Sequence, residues 1–393
     1  FFLIKKYYFF IKMFLPQDSF IQPCENVDTF YTKTSKNFES LKLQNAKLSF
    51  STSKNKSSNI SFVTTLYSPE KEERFLKINE KDDVLPCGAI LQMISIKEIG
   101  EINDNIDYTV VYDGLTKNQI KLLEKYRINT IKGNIPDVNI YDNKFEAYTM
   151  LKVDVVSLVQ YKKIIYIDLD MFPRSSLKDH VRINIKEDAL AWYQLTTPFS
   201  SNFFVLKPST KMYKFLRSMA DIHPFTIERG WYNKGLVNWP FTKGCNASYL
   251  QNGLVSSPKN RRKCKLSDKW VKRCQMYKLT NWNFMHAGSD QGAFWYAYNI
   301  SKMSSVFTFE GSKEYETYDG EKFKIGRQYW HHMSGRCKPW LISKSTLNNK
   351  RCLEAAKYFW GTLWKSFRIK YDLYKFCPTM EKKYKFYLEW LDK

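Results

Sequence analysis

KKIIYIDLDMF, residues 162–172, is the stretch whose reading decides the fold. Ile164, Ile165, Tyr166 and Ile167 form an apolar, β-branched run that is too short for an ordinary helix. Such a run reads as a strand buried on both faces, as in a parallel sheet. Two carboxylates, Asp168 and Asp170, follow at its C-terminal end, where open α/β sheets bind their ligands. Two positions apart in an extended chain, they point the same way. Two anions held together call for a cation. A hard divalent ion with oxygen ligands meets that need, and it would also bridge a substrate diphosphate.

Other readings of the acid pair exist. Solvated acids often end a strand, but a preceding strand this apolar argues against that here. An aspartyl-phosphate enzyme of the haloacid dehalogenase type would use the first Asp as a nucleophile. Such enzymes carry Thr or Val two positions after the second Asp, where this chain has Phe172.

Outward from the strand, elements alternate. Ile60–Leu66, Tyr108–Tyr112 and Arg127–Ile131 read as strands. Gly88–Ile99, the segment from a capping box at Thr116 and Gln119 to Tyr126, and Phe145–Tyr161 read as helices. The order β-α-β-α-β-α-β argues an α/β fold, a parallel sheet with helices on both faces. No Gly-rich phosphate loop follows the first strand, which argues against a conventional dinucleotide enzyme or a P-loop ATPase. Further strands are expected at Ala189–Leu195 and Phe203–Leu206, and a helix at 208–220 with Met212, Leu216 and Met219 inward. Leu353, Ala356, Trp360, Leu363 and Phe367 form a helical stripe that reads as core.

The 393 residues include 44% apolar side chains, enough for a full core. The net charge of +23 attracts nucleotides, nucleic acid, acidic glycans or an anionic membrane surface, without choosing among them. Eight cysteines without a C-x-x-C pair suggest neither a disulfide framework nor a zinc site. Cys245, Cys264, Cys274 and His286 are the one grouping close enough in sequence to consider for zinc. Residues 1–59 are expected to be a mobile or untranslated lead-in, with Met13 as the start and the cytoplasm as the compartment. A Golgi lumen with a truncated N-terminal anchor is the alternative. The expected organisation is a domain over 60–345, with an irregular insert at about 230–285, and a C-terminal helical extension over 346–393.

Several segments match one family in order. LKVDVVSLVQY (151–161) leads into YIDLD, D-Q-G stands at Asp290, Gln291 and Gly292, and H-x-x-G-x-x-K-P-W stands at His332, Gly335, Lys338, Pro339 and Trp340. On these motifs the chain resembles family 8 of the glycosyltransferases, the glycogenin-like retaining enzymes, from about Ile60 to Trp340. The resemblance implies a GT-A fold, a Rossmann-like and mostly parallel sheet that takes a nucleotide-sugar with Mn²⁺. It implies Asp168, Asp170 and His332 as metal ligands, with Gly335 and Lys338 on the diphosphate. Lys152 would contact the donor's phosphate or sugar, and Thr64, Thr65 and Tyr67 would lie at the uridine. Asp290 and Gln291 would face the donor sugar and the reacting centre. The partners implied are a UDP-sugar donor and a glycan or protein hydroxyl acceptor. Where the family carries Asn-Ser/Ala-Gly in the sugar-lining segment, this chain has Ser200, Ser201 and Asn202, so sugar identity does not transfer. Two other classes stay open at this stage. One is a catalytically inactive nucleotide-sugar binder. The other is a basic nucleic-acid-binding protein, suggested by Lys259, Arg261, Arg262, Lys263 and Lys265 but lacking any recognisable module.

Overall fold

The computed structural model describes residues 58–67, 83–103, 105–141, 144–194, 197–222, 225, 230–231, 287–301, 304–309, 312–316, 320–341 and 343–391. The lead-in before 58, the run 259–265 and the Cys245, Cys264, Cys274 and His286 grouping lie outside them.

The alternation read from the sequence is present. In chain order come β1 (Ile60–Tyr67), α1 (Val84–Glu98), β2 (Asp107–Asp113), α2 (Lys117–Lys125), β3 (Asn129–Lys132), α3 (Lys144–Thr149) and β4 (Lys163–Ile167). Next are β5 (Met171–Pro173), α4 (Lys178–Arg182), β6 (Ala189–Gln194), β7 (Thr197–Leu206), α5 (Thr210–Asp221) and α6 (Asp290–Trp295). Four short strands follow: β8 (Val306–Phe309), β9 (Ser312–Glu316), β10 (Lys322–Gly326) and β11 (Trp330–His332). Two of the C-terminal helices are α7 (Lys350–Ala356) and α8 (Pro378–Leu391).

Seven strands form one sheet in the order β3-β2-β1-β4-β7-β6-β8. The pairs β1–β2, β2–β3, β1–β4 and β6–β8 are parallel, and only β7 runs against its neighbours. The fold is therefore α/β with a mostly parallel sheet. The chain leaves β1 toward β2 and β3, then returns to place β4 on the other side of β1. A crevice opens where the winding reverses, at the carboxyl ends of β1 and β4. Val63 pairs with Tyr166. That register sets the ends of β1 and β4 side by side, with Thr65 and Tyr67 on the one and the turn that carries Asp168 and Asp170 just beyond the other.

Ile164, Ile165, Tyr166 and Ile167 are wholly buried, as a strand covered on both faces requires. The capping box of α2 is complete: Thr116 Oγ1 accepts from the Gln119 backbone while Gln119 Oε1 accepts from the Thr116 backbone. In α5, Met212, Leu216 and Met219 point inward. Ala356, Trp360, Leu363 and Phe367 of the C-terminal stripe are buried in a core shared with α1.

Some boundaries differ from the sequence reading. The helix expected over 145–161 stops at Thr149 and tightens into 3₁₀ turns over Met150–Ser157. Val153, Val155 and Val156 lie there, and β-branched side chains crowd an α-helical turn. Helix α1 begins four residues earlier than expected, and β7 starts at Thr197, closing a bulged hairpin with β6. Two disulfides also contradict the expectation drawn from cysteine spacing. Cys87 is joined to Cys377, and Cys337 to Cys352, across 290 and 15 residues of sequence. Partners that far apart carry no local signature. No helix among the described residues is long and apolar enough to cross a membrane.

His180, on α4, is wholly buried, neither ring nitrogen has a hydrogen-bond partner among the described residues, and the rings of Phe203, Tyr329 and Trp330 meet it edge to face. Burial pushes its pKa down to about 3. Because the folded value lies below the unfolded value of about 6.5, this residue's contribution is complete above pH 6.5 and is lost as pH falls through about 3. The expected slope is about 1.4 kcal/mol per pH unit across that window. Denaturant unfolding between pH 3 and 7 should show it, and His180→Phe should flatten it. Replacing Cys87 and Cys377 together by Ser should lower stability by about 2–4 kcal/mol, read as the difference in denaturant midpoint under non-reducing conditions.

Candidate active site

β4 ends at Ile167, and the acids sit in the turn beyond it rather than in extended chain. The Met171 N–H closes that turn on the Asp168 carbonyl at 3.0 Å. Asp168 and Asp170 both line one cavity, together with Thr65, Tyr67, Lys152 and Lys338. The turn separates their partners, however, so they do not face a single cation as two residues of a strand would.

Asp168 is held by Lys152, whose Nζ lies 2.8 Å from Oδ1, and by the Tyr166 hydroxyl, which donates to the same oxygen at 2.8 Å. Tyr166 reaches Thr65 Oγ1 at 2.9 Å, which ties the end of β4 to the end of β1. Lys152 also reaches Asp290 Oδ2 at 3.2 Å, Ser201 Oγ at 3.1 Å and the Ser201 carbonyl at 3.3 Å. Burial pulls the Lys152 pKa down, but Asp168 and Asp290 outweigh it and hold the pKa well above the usual lysine value.

Asp170 is paired on the other side. Lys338 Nζ lies 3.3 Å from Oδ2 and His332 Nε2 lies 3.5 Å from Oδ1. Antiparallel pairing of β11 with β5, with His332 opposite Met171, brings the histidine there, and the Met333 N–H donates to the Asp170 carbonyl at 2.9 Å. Burial raises the Asp170 pKa, but the Lys338 and His332 charges prevail and hold the carboxyl well below the usual range. Lys338 is raised in turn, against the pull of burial, chiefly by Asp170.

The turn that presents Lys338 needs a left-handed residue at Gly335, with φ +63°, although a Cβ there would meet open space. Glycine serves the backbone at this point, not a close approach. The bond between Cys337 and Cys352 fixes the same turn to α7.

The other sequence-predicted residues are placed as follows. Thr64 is wholly buried, its hydroxyl has no hydrogen-bond partner among the described residues, and it does not line the cavity, whereas Thr65, Leu66 and Tyr67 at the end of β1 do. Tyr67 stacks on Tyr148, with ring centroids 5.4 Å apart and planes 6° from parallel. Ser200 pairs with Trp192 across the sheet, behind Ser201. Asp290 and Gln291 open α6 and are buried, Asp290 beside Lys152, and Gln291 Oε1 has no hydrogen-bond partner among the described residues.

Tyr148 lines the same cavity, and Tyr166, Asn202 and Gln92 contact its acids or His332; the sequence reading gave none of the four a role, noting Tyr166 only as part of the strand and Asn202 only as a departure from the family pattern. Asn202 Nδ2 lies 3.3–3.4 Å from the two ring nitrogens of His332. Gln92 does have a sequence signal: it is the lone polar side chain in the apolar stretch GAILQM.

The donor chemistry fits a divalent cation. Among the described residues, Asp170 Oδ1 is buried without a hydrogen-bond partner and faces an imidazole nitrogen, and mixed oxygen and imidazole donors suit manganese. Among the described residues, no three His, Cys, Asp or Glu side chains already stand close enough to share an ion. Asp168, turned to Lys152, is the one that would have to move.

No protein-family model matches the chain. In sequence it is similar to a glycogenin of Komagataella phaffii, with 21% identity over 291 residues, 70% of this chain and 60% of the relative's length. That likeness agrees with the motif resemblance. Among solved structures, the galactosyltransferase LgtC in complex with donor and acceptor sugar analogs aligns over 75% of this chain and 95% of its own, at 13% identity and a TM-score of 0.39. Mouse xyloside xylosyltransferase 1 aligns over 60% and 83%, at 11% identity and a TM-score of 0.28.

Gly292 is set by close packing. A Cβ there would lie 1.7 Å from the Ala287 carbonyl oxygen. Gly292→Ala should therefore force the 287–292 turn apart and pull Asp290 off Lys152. The expected cost is on the order of 3 kcal/mol in thermal or denaturant unfolding.

Proposed function

We propose that this chain, glycogenin-like in sequence, is a retaining glycosyltransferase that moves a sugar from a UDP-sugar to a hydroxyl of a glycan or protein. The observation that carries the proposal is the gathering of six residues from four distant segments at one switch-point crevice. Lys152, Asp168, Asp170, Asp290, His332 and Lys338 form two ion-paired clusters there. Asp168, Asp170 and His332 are the residues that would hold Mn²⁺. Bound there, the ion would act as a Lewis acid on the diphosphate oxygens.

The protein's own groups account for the rest. Lys338 is the most accessible member of the clusters, with 31% of its side chain exposed, and its raised pKa keeps it charged at neutral pH. It is the group able to turn from Asp170 to a bound diphosphate and to stabilise charge that develops on the leaving group. The stacked Tyr67 and Tyr148 offer a flat apolar surface at the end of β1 for a base.

In the transfer, the anomeric carbon–oxygen bond to the diphosphate breaks and a bond to the acceptor oxygen forms on the same face. The acceptor proton passes to the departing phosphate oxygen. Asp290 is buried and bound to Lys152, an arrangement that suits an electrostatic role better than that of a covalent nucleophile. We propose an oxidising lumen, the alternative to the cytoplasm, because disulfides such as these two are rare where thiols are kept reduced.

The test is UDP release from a panel of UDP-sugars, with Mn²⁺ and with EDTA, in the wild type and in Asp170→Ala. Metal-dependent release from one donor, lost in the variant, is the expected result. Absence of both turnover and Mn²⁺-dependent UDP binding in the wild type would overturn the reading.

A further inference from the structure

Gln92 lies in the middle of α1, wholly buried among apolar neighbours. A buried primary amide is costly unless its donors and acceptor are all engaged. Here they are. Nε2 donates to the Asp168 carbonyl at 2.8 Å and to the Met171 carbonyl at 2.7 Å, and Oε1 accepts from the Tyr108 hydroxyl on β2. The amide orientation is forced by this environment. Turned over, its oxygen would face two carbonyl oxygens and neither would have a donor. Tyr108 is wholly buried too, and burial raises its pKa well above 10, so it remains a neutral donor.

The two carbonyls are the first and last of the turn that carries both acids. Helix α1 also packs close beneath that turn, where the position of a Cβ on Gly88 lies 3.5 Å from the Leu169 side chain. Clamped from inside at both ends, the turn directs Asp168 and Asp170 outward to the cavity.

We propose that Gln92 is a positioning residue for the acid pair: its amide sets the separation and direction of Asp168 and Asp170, and Tyr108 holds that amide in place. The part of this that concerns metal affinity rests on the proposed function, whereas the clamp itself does not. Outer partners that orient metal-binding side chains typically change metal affinity about 10–100-fold when removed.

The experiment uses the full chain and Gln92→Met, which keeps the side chain's length and removes both donors. Hydrogen exchange reads the turn directly, without metal. The Met171 and Met333 amides, bonded to the Asp168 and Asp170 carbonyls, should exchange at least about tenfold faster, while the amides of β3 stay unchanged. Mn²⁺ binding in the presence of UDP, followed by electron paramagnetic resonance of free Mn²⁺, should weaken by about 10–100-fold. Ser95→Ala serves as the structural control. Ser95 is buried one turn along α1 and its hydroxyl, among the described residues, donates to its own helix at the Leu91 carbonyl, so its loss should leave both readouts at wild-type values. Should Gln92→Met fail to fold, Tyr108→Phe removes only the restraint on Oε1 and should shift both readouts in the same direction by a smaller factor. Unchanged exchange at Met171 and Met333 would overturn the clamp. Faster exchange with unaltered Mn²⁺ affinity would overturn its positioning role. A wild type that binds no Mn²⁺ with UDP, but whose exchange responds to Gln92→Met, would overturn the functional reading and leave the clamp standing.

Discussion

Two lysines set against three carboxylates at the end of a parallel sheet are the constraint on which the crevice depends. Charges taken out of water cost more than their mutual attraction returns unless geometry and additional hydrogen bonds are good. Lys152 meets that condition with two carboxylates and both oxygens of Ser201 around one ammonium. Lys338 shares Asp170 with His332. Each pairing joins segments far apart in sequence. The positions of β7, α6 and β11 relative to β4 are therefore coupled to the electrostatics of the site.

The surrounding structure is built to keep those charges in place. Tyr166 connects Asp168 to Thr65 across the β1–β4 pair, and the 3₁₀ turns over Met150–Ser157 aim Lys152 at the crevice. On the far side, the Gly335 turn carries Lys338 and is bonded covalently to α7 through Cys337. The second disulfide fastens the start of α1 to the chain just before α8. Helix α1 lies beneath the acid turn, so the C-terminal helices buttress the site through it.

The two clusters also differ in ways that divide their work. Lys152 is wrapped in protein ligands and has little freedom to leave. Lys338 projects from a turn with open space around Gly335 and is the more exposed of the two. A buried cation beside a more exposed one would suit the diphosphate of the donor proposed above. Ser200, Ser201 and Asn202 mark where the chain departs from the motifs it otherwise carries.

Local sequence accounts for the strand at Ile164–Ile167, the alternation of strands and helices, the capping box of α2 and which charged residues were expected at the crevice. These are local signals: hydrophobic period, capping chemistry and short motifs act within a few residues. Tertiary structure decided what those signals could not carry. It bent the acid pair into a turn, so that Asp168 and Asp170 answer to different lysines. It left Thr64 out of the cavity lining and placed Asp290 beside Lys152. It paired Cys87 with Cys377, and it made Gln92, an isolated polar residue in an apolar helix, the inner support of the acid turn. Each of these depends on which segments the winding of the sheet brings together, and contacts across 76 residues, as between Gln92 and Asp168, leave no periodicity in the chain.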